Sequence, residues 1–305
     1  MTRIPNRSAA RLVVALVLLG ASALASGCIG TSWPAAEVAA RQETATATSI
    51  PSTSLPDTSD TTASALASEA PEDPAGVVSI EPTVGVTSKA SSAPWPAYAP
   101  ALRARWTGVY FRHAAMGRKM VALTFDDGPF ANSMVRATDI LMRAHAKATF
   151  FCVGGRVFHN PDETRYAWSH GMEIDNHTWS HRELTRSRSD DLTQILATDA
   201  IIGEVTGVRP LWVRPKSGSA DATGVAAVFD SGHLLAGWNV HAGDTGTWTS
   251  EQITKHVLET VKPGDVVDLH VTNPRTIQAL PGMLAGLKAR GYRMVTLSTL
   301  ALASQ

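Results

Sequence analysis

Cysteine is nearly absent from this chain. Two occur in 305 residues, Cys28 and Cys152, so a disulfide framework has almost nothing to be built from. An excess of charge of one sign is missing as well, because 27 Lys and Arg balance 27 Asp and Glu. No basic stripe with interleaved aromatic residues occurs, so no nucleic-acid partner is expected. The apolar run at residues 12–24 falls short of the roughly 20 residues that a membrane-spanning helix needs. No internal repeat is found, which excludes an array of stacked units.

The balanced total conceals three unlike stretches. Arg3, Arg7 and Arg11 precede the apolar run, which leads into A-L-A-S-G-C ending at Cys28. A basic start, a short apolar core and small residues before a cut site predict a signal peptide over residues 1–28. The small residues directly before Cys28 resemble a bacterial lipoprotein cleavage box, in which the cysteine is lipidated and becomes the mature N-terminus. That implies an extracytoplasmic chain anchored to the cell membrane, or a secreted one if Cys28 is not lipidated. Residues 29–100 are rich in Ala, Ser, Thr and Pro, with eight carboxylates against two basic residues, a net charge of −6. Such a segment buries too little apolar surface to offset its ordering entropy and reads as a disordered tether. With Cys28 taken by the lipid no disulfide remains, and Cys152, in the apolar run A-T-F-F-C-V, reads as a buried thiol.

From about residue 101 to 305 the pattern becomes that of one folded domain. Strand-like runs at 121–125, 148–153, 172–175, 211–213, 234–238, 265–270 and 293–297 alternate with helical stretches at 132–144, 162–169, 189–203, 221–231, 250–261 and 281–290. Regular alternation predicts a largely parallel sheet with helical crossovers, and about seven strands suggest a (β/α) barrel. In such folds chemistry gathers at the C-terminal ends of the strands. A monomer is expected.

Two constellations sit at such ends. In V-A-L-T-F-D-D-G-P, residues 121–129, Asp126 and Asp127 close a strand before a Gly-Pro turn. Neighbouring side chains in extended chain face opposite ways, so one carboxylate can hold a cation while the other accepts a proton. In N-H-T-W-S-H, His177 and His181 are four residues apart, which on a turn of helix sets both imidazoles on one side. Two neutral imidazoles and one carboxylate make a ligand set for a divalent transition metal, with a position left open.

T-F-D-D-G-P (124–129) and H-T-W-S-H (177–181), with A-T-F-F (148–151) between them, resemble the NodB-homology polysaccharide deacetylases, carbohydrate esterase family 4. The resemblance covers nearly the whole folded part. It implies a distorted (β/α) barrel and metal-dependent removal of N-acetyl or O-acetyl groups from polysaccharides. By motif, Asp127, His177 and His181 would hold the metal, usually zinc, with cobalt or another divalent ion as an alternative, and Asp126 would be the general base. R-P-K-S-G (214–218) stands where the family has an Arg-x-Pro-aromatic-Gly motif, with Lys216 and Ser217 replacing the usual proline and aromatic residue. Arg214 would orient Asp126, and a backbone N–H near Ser217 would help bind the developing oxyanion.

D-T-G-T-W (244–248) resembles a motif whose first Asp orients the catalytic histidine and whose Trp lines the sugar groove. That gives these roles to Asp244 and Trp248, although a second register would put His241 in the place of Asp244. V-V-D-L-H-V places His270 as general acid, with Asp268 on the same strand face as a modulator or a simple replacement for an apolar residue. Trp179, Trp212 and Trp248 are candidates to stack on sugar rings, or members of the core. The lipid anchor and tether favour a cell-wall glycan, peptidoglycan N-acetylglucosamine or N-acetylmuramic acid, as the substrate. An O-acetyl esterase and a glycan-binding protein that has lost turnover are the alternatives.

Overall fold

The structure, a computed structural model, describes residues 92–184 and 187–304. The expected signal peptide, Cys28 and the tether as far as residue 91 lie outside the described residues. Helix α1 (Ala99–Trp106) leads to β1 (Tyr110–Phe111) and the long β2 (Met120–Gly128). After these come α2 (Ser133–Arg143), β3 (Thr149–Cys152), α3 (Gly154–His159), α4 (Pro161–Ser169) and β4 (Glu173–Asn176). The second half runs α5 (Arg188–Thr206), β5 (Trp212–Val213), α6 (Ala222–Asp230), β6 (Leu234–Ala236) and β7 (Val240–His241). It ends with α7 (Ser250–Thr260), β8 (Val266–His270), α8 (Pro274–Ala289), β9 (Arg293–Val295) and α9 (Leu297–Ala303).

Every ladder between the named strands is parallel, in the order β1-β6-β5-β4-β3-β2-β8-β7, with β9 added to the start of β2. Read as a list, that order is an open ribbon. Its two ends are nevertheless joined by one stretch of chain, because β6, second from one end, and β7, at the other, are separated by only three residues. Gly237 N–H donates to Phe111 O at 2.8 Å and Asn239 N–H to Val266 O at 3.2 Å. Residues 234–241 therefore leave β5 and β1 below and reach β8 above, which closes the ribbon into a distorted barrel.

The two faces of β2 show what that closure does. Val121, Leu123 and Phe125 pack outward with Met134, Ala137 and Leu141 of α2 and with the residues of α7 and α8. Met120 and Ala122 pack inward with Phe111, Phe151, Trp212, Val266 and Leu297. Burying each of these larger side chains contributes roughly 1.5–3 kcal/mol. Further along β2 the inward row continues as Thr124 and Asp126, by the period of two. In register beside it, Asp268 pairs with Thr124 and His270 with Asp126. Along β2 and β8 the barrel interior is thus apolar where the strands begin and ionic where they end.

The seven expected strands and six expected helices are all present, and nine strands form among the described residues. The additional strands, β1 and β7, are two residues long, too short to carry a period. Helix α8 begins at Pro274 rather than near Pro281. Pro274 fits the first turn, where its missing N–H has no partner to lose, while Pro281 lies within the helix. The expected domain boundary at residue 100 falls inside α1, and chain ahead of it is packed on the barrel.

Candidate active site

Asp126 and Asp127 end β2, and their side chains part because the backbone changes hand between them. Asp127 has φ 70°, a left-handed conformation that is uncommon for any residue but glycine. Asp126 stays directed into the barrel and is buried. Arg156 Nη1 donates to Asp127 O at 2.6 Å and ties down the turn. The following peptide, Gly128–Pro129, is cis.

The two histidines meet, but not on a helix as their spacing suggested. Residues 177–181 form a loop in which Thr178 has φ 67° and His181 φ 52°. Asn176 fixes the bend by accepting from Thr178 N–H at 2.8 Å. The rings approach to 4.8 Å between centroids. Of the seven non-glycine residues with positive φ among the described residues, four are in this site: Asp127, Thr178, His181 and Ser217. Strain of this sort persists only where the surroundings impose it.

His177 Nδ1 lies 2.7 Å from Arg214 O. A carbonyl only accepts, so Nδ1 carries the proton and Nε2 presents a lone pair. That lone pair faces Asp126 and Asp127 oxygens, each at 3.6 Å, and His181 Nε2 lies 3.1 Å from Asp127 Oδ1. Asp127 Oδ1 is buried with no hydrogen-bond donor. Burial, then the neighbouring His177, pull His181 down to about 4. Burial alone would raise the Asp127 carboxyl, yet His177, His181 and His270 hold it below its usual value. Ring nitrogens with lone pairs converging on an undonated carboxylate oxygen repel one another unless a cation lies among them. Asp127, His177 and His181, whose ligand atoms lie within 4.8 Å of one another, therefore fit a divalent metal.

A second cluster of Asp126, Asp268 and His270 lies beside the first, again with ligand atoms within 4.8 Å. Arg214 is fully buried and joins its members. Arg214 Nη1 donates to Asp126 Oδ1 at 2.7 Å and to Thr124 Oγ1 at 2.8 Å, with Asp268 Oδ1 farther away at 3.5 Å. The guanidinium also stacks on Phe151 at 4.0 Å. Burial and the neighbouring Asp126 push the Asp268 carboxyl well above the usual carboxylate range. Asp244 holds His270 twice, accepting from Nδ1 at 3.1 Å and from the backbone N–H at 2.7 Å. Burial would lower His270, but the Asp244 hydrogen bond and the charge of Asp268 outweigh it and raise the imidazole to about 10. Asp244, and not His241, is thus the carboxylate partner of His270. His241 lies 3.9 Å from Asp268, at the exposed rim.

The remaining candidates divide. Ser217 occupies a short turn with φ 56°, and its hydroxyl donates outward to Glu183 Oε1 at 3.2 Å. Trp248 is 38% exposed and lies over Gly243, where a Cβ would come within 2.3 Å of its ring. Trp212 is fully buried and Trp179 is only 4% exposed; both are core, and neither is free to stack on a sugar. Several contributors were not singled out in the sequence. Thr124 shares Arg214 with Asp126. Thr276 donates to Asp244 Oδ2 at 2.7 Å, and Asn273 donates to Asp244 O. Tyr110 donates to Gly218 O and secures the Ser217 turn. The period-two row through Asp126 could have pointed to Thr124; the others sit in loops and helix starts that carry no period.

The chain matches the family model for polysaccharide deacetylases over residues 113–236. It is 32% identical over 200 residues to a peptidoglycan-N-acetylglucosamine deacetylase of Bacillus cereus, which takes in 64% of this chain and 93% of that protein. A peptidoglycan-N-acetylglucosamine deacetylase of Listeria monocytogenes is 32% identical over 187 residues, or 61% of this chain, but the match spans only 40% of the Listeria protein. Among solved structures, a CE4 family pseudoenzyme from Bacillus anthracis aligns with a TM-score of 0.60 at 26% identity, covering 63% of this chain and 68% of that one. This chain belongs to the NodB-homology polysaccharide deacetylases of carbohydrate esterase family 4.

Proposed function

We propose that this protein hydrolyses acetyl groups from a polysaccharide, and that its substrate is the N-acetylated glycan of peptidoglycan. The observation that supports this most is the facing of Asp126 and His270 across the β2–β8 ladder, beside a separate set of three metal-type ligands. Asp127, His177 and His181 would hold a divalent metal, zinc in the first instance. Such a metal, when bound, supplies Lewis acidity toward the acetyl carbonyl and the attacking water.

The chain's own groups then divide the proton work. Asp126 has one oxygen held by Arg214 and the other directed toward His177 Nε2. It accepts a proton from the water as the water adds to the carbonyl carbon. His270 has Nδ1 bonded to Asp244, which leaves Nε2–H to protonate the leaving nitrogen as the carbon–nitrogen bond breaks. Acetate and a free amine result. The backbone N–H near Ser217 helps bind the carbonyl oxygen as its charge grows, and Trp248 lines the groove for the sugar. The named relatives act on peptidoglycan N-acetylglucosamine, which supports the same class of substrate here. The leader ending at Cys28 supports an extracytoplasmic, lipid-anchored enzyme; radiolabelled palmitate incorporation lost in Cys28→Ser tests that.

The decisive experiment is acetate release from N-acetylglucosamine oligomers and purified peptidoglycan by metal-stripped protein, before and after zinc or cobalt is resupplied. Metal-restored release is the expected result. Release only from an O-acetylated xylan would make the protein an ester hydrolase. Metal and glycan binding with no release from any substrate would make it a binding protein, on a scaffold that includes a known pseudoenzyme.

A further inference from the structure

Ahead of α1, in a stretch whose composition reads as tether, residues 93–98 lie against the barrel as a strap. Trp95 is gripped between two guanidinium groups, Arg103 at 3.7 Å and Arg209 at 4.0 Å from its ring centre. It meets the His233 ring in a T-shaped arrangement, with 5.0 Å between ring centres. Pro94 O accepts from Arg209 N–H at 2.9 Å. The strap passes so close to α5 that a Cβ on Gly203 would come within 2.9 Å of Ala93 Cβ.

Arg209 and His233 converge on one fully buried carboxylate, Asp199 of α5. Arg209 Nε donates to its Oδ2 at 2.8 Å, and His233 Nε2 lies 3.0 Å from the same oxygen. The third donor is Asn176 Nδ2, at 2.8 Å from Oδ1. Asn176 immediately precedes His177, and its own Oδ1 accepts Thr178 N–H. Thr178 is β-branched and left-handed, a conformation that needs such a restraint. A continuous path of contacts thus runs from the half-buried Trp95 and Arg209, through buried Asp199 and Asn176, to the bend that aims His177.

We propose that the strap is a positioning element for this bend, with Trp95 acting through Arg209, His233 and Asp199 on Asn176. If Trp95 leaves, Arg209 and His233 lose the ring that aligns them, and buried Asp199 is left with incomplete donors. It then competes for the Asn176 amide, Oδ1 swings away from Thr178, and the bend relaxes. The proposal rests on the reading of His177 as a metal ligand only where it extends to metal affinity.

The test uses the full chain and two readouts: amide exchange of residues 176–181 in metal-free protein, and zinc affinity by competition with a chelator. Trp95→Ala is expected to speed exchange at the Thr178 amide by tenfold or more and to weaken zinc about tenfold, in the range seen when supports behind metal ligands are removed. Trp95→Phe, which keeps an aromatic face, should recover most of both. Trp95→Leu carries the expectation of Trp95→Ala if the latter does not fold. Trp106→Ala, which removes a ring packed on Phe111 at 4.7 Å instead, should lower Tm and leave both readouts unchanged. Unaltered Thr178 exchange in the Trp95 variants, or equal acceleration by Trp106→Ala, overturns the proposal. If the unsubstituted protein binds no zinc, the metal-site reading fails, and the exchange comparison alone decides the positioning role.

Discussion

His177 follows β4 and His270 ends β8, with β3 and β2 between those strands; each has its Nδ1 anchored, yet the anchors differ. His177 donates to the carbonyl of Arg214 at 2.7 Å, a neutral acceptor. His270 donates to the carboxylate of Asp244 at 3.1 Å, a charged one. A carbonyl fixes the tautomer without rewarding a second proton, so Nε2 remains a lone pair suited to a cation. A carboxylate stabilises the imidazolium, so Nε2–H remains a proton to give. His181, in the same cluster as His177, is drawn down to about 4 by burial and by His177, whereas His270 rises to about 10. Under the proposed mechanism one side-chain type thus serves two chemistries, with the difference between His177 and His270 set by what each ring touches from behind.

Asp126 faces both halves, so its removal should have the largest effect. Asp126→Asn keeps the Arg214 contact in shape but removes the proton acceptor, and acetate release should fall about a thousandfold. Zinc should still bind, which a chelator competition would show; loss of both together would mean that Asp126 is a ligand and not the base. His177→Ala and His181→Ala should do the reverse, weakening zinc about a hundredfold or more. Added metal should raise the Tm of the unsubstituted protein by binding only the folded state, and should no longer do so in these two variants.

Asp244→Asn attacks the contrast itself and should cost about a hundredfold in kcat. The sign of its pH effect follows from the raised His270. A group with a folded-state pKa near 10 against an ordinary 6.5 is protonated below that value, so donor activity is lost as pH rises through about 10. Removing the Asp244 charge should draw that alkaline fall toward neutrality. The same shift makes His270 a source of folding stability that is full below pH 6.5 and lost as pH rises through about 10. Thermal scans from pH 7 to 10.5 should show a steeper loss of Tm in the unsubstituted protein than in His270→Gln. An alkaline limb unmoved by Asp244→Asn would assign it to another group.

What the sequence disclosed follows from where its signals are stored. Asp126, Asp127, His177 and His181 lie in compact motifs at strand ends, and an even spacing along β2 and β8 was enough to turn Asp126, Asp268 and His270 toward one another. The bend at residues 177–181 was misread as a helical turn, because i to i+4 spacing says nothing of a left-handed Thr178 held by Asn176. Trp212 and Trp179 read as possible sugar platforms, since a tryptophan in a strand or loop looks the same whether its face meets solvent or core. Trp95 was assigned to the tether because composition averages over a window, and one ring gripped by Arg103 and Arg209 does not change the average. β1 and β7 escaped for want of length. Local pattern carried the directions of side chains along strands, whereas contacts between distant segments had no local signature.

The smallest expected effect bears on the exposed rim beside Asp244. Trp248 lies over Gly243, with its ring centre 5.0 Å from that of His256, and Gly243 has φ 78°. The close contact leaves no space for a side chain at 243, so the ring's position is set by the same turn that delivers Asp244 to His270. In the proposed role, stacking of a pyranose ring on the indole contributes about 1 kcal/mol, a few-fold in binding. Trp248→Ala should therefore raise KM for N-acetylglucosamine oligomers a few-fold with kcat nearly unchanged and with the alkaline limb in place. Trp248→Phe should recover most of the loss. A fall in kcat accompanied by a shifted alkaline limb would instead mean that the indole braces the 243–244 turn, and that its contribution reaches His270 through Asp244 rather than through the sugar.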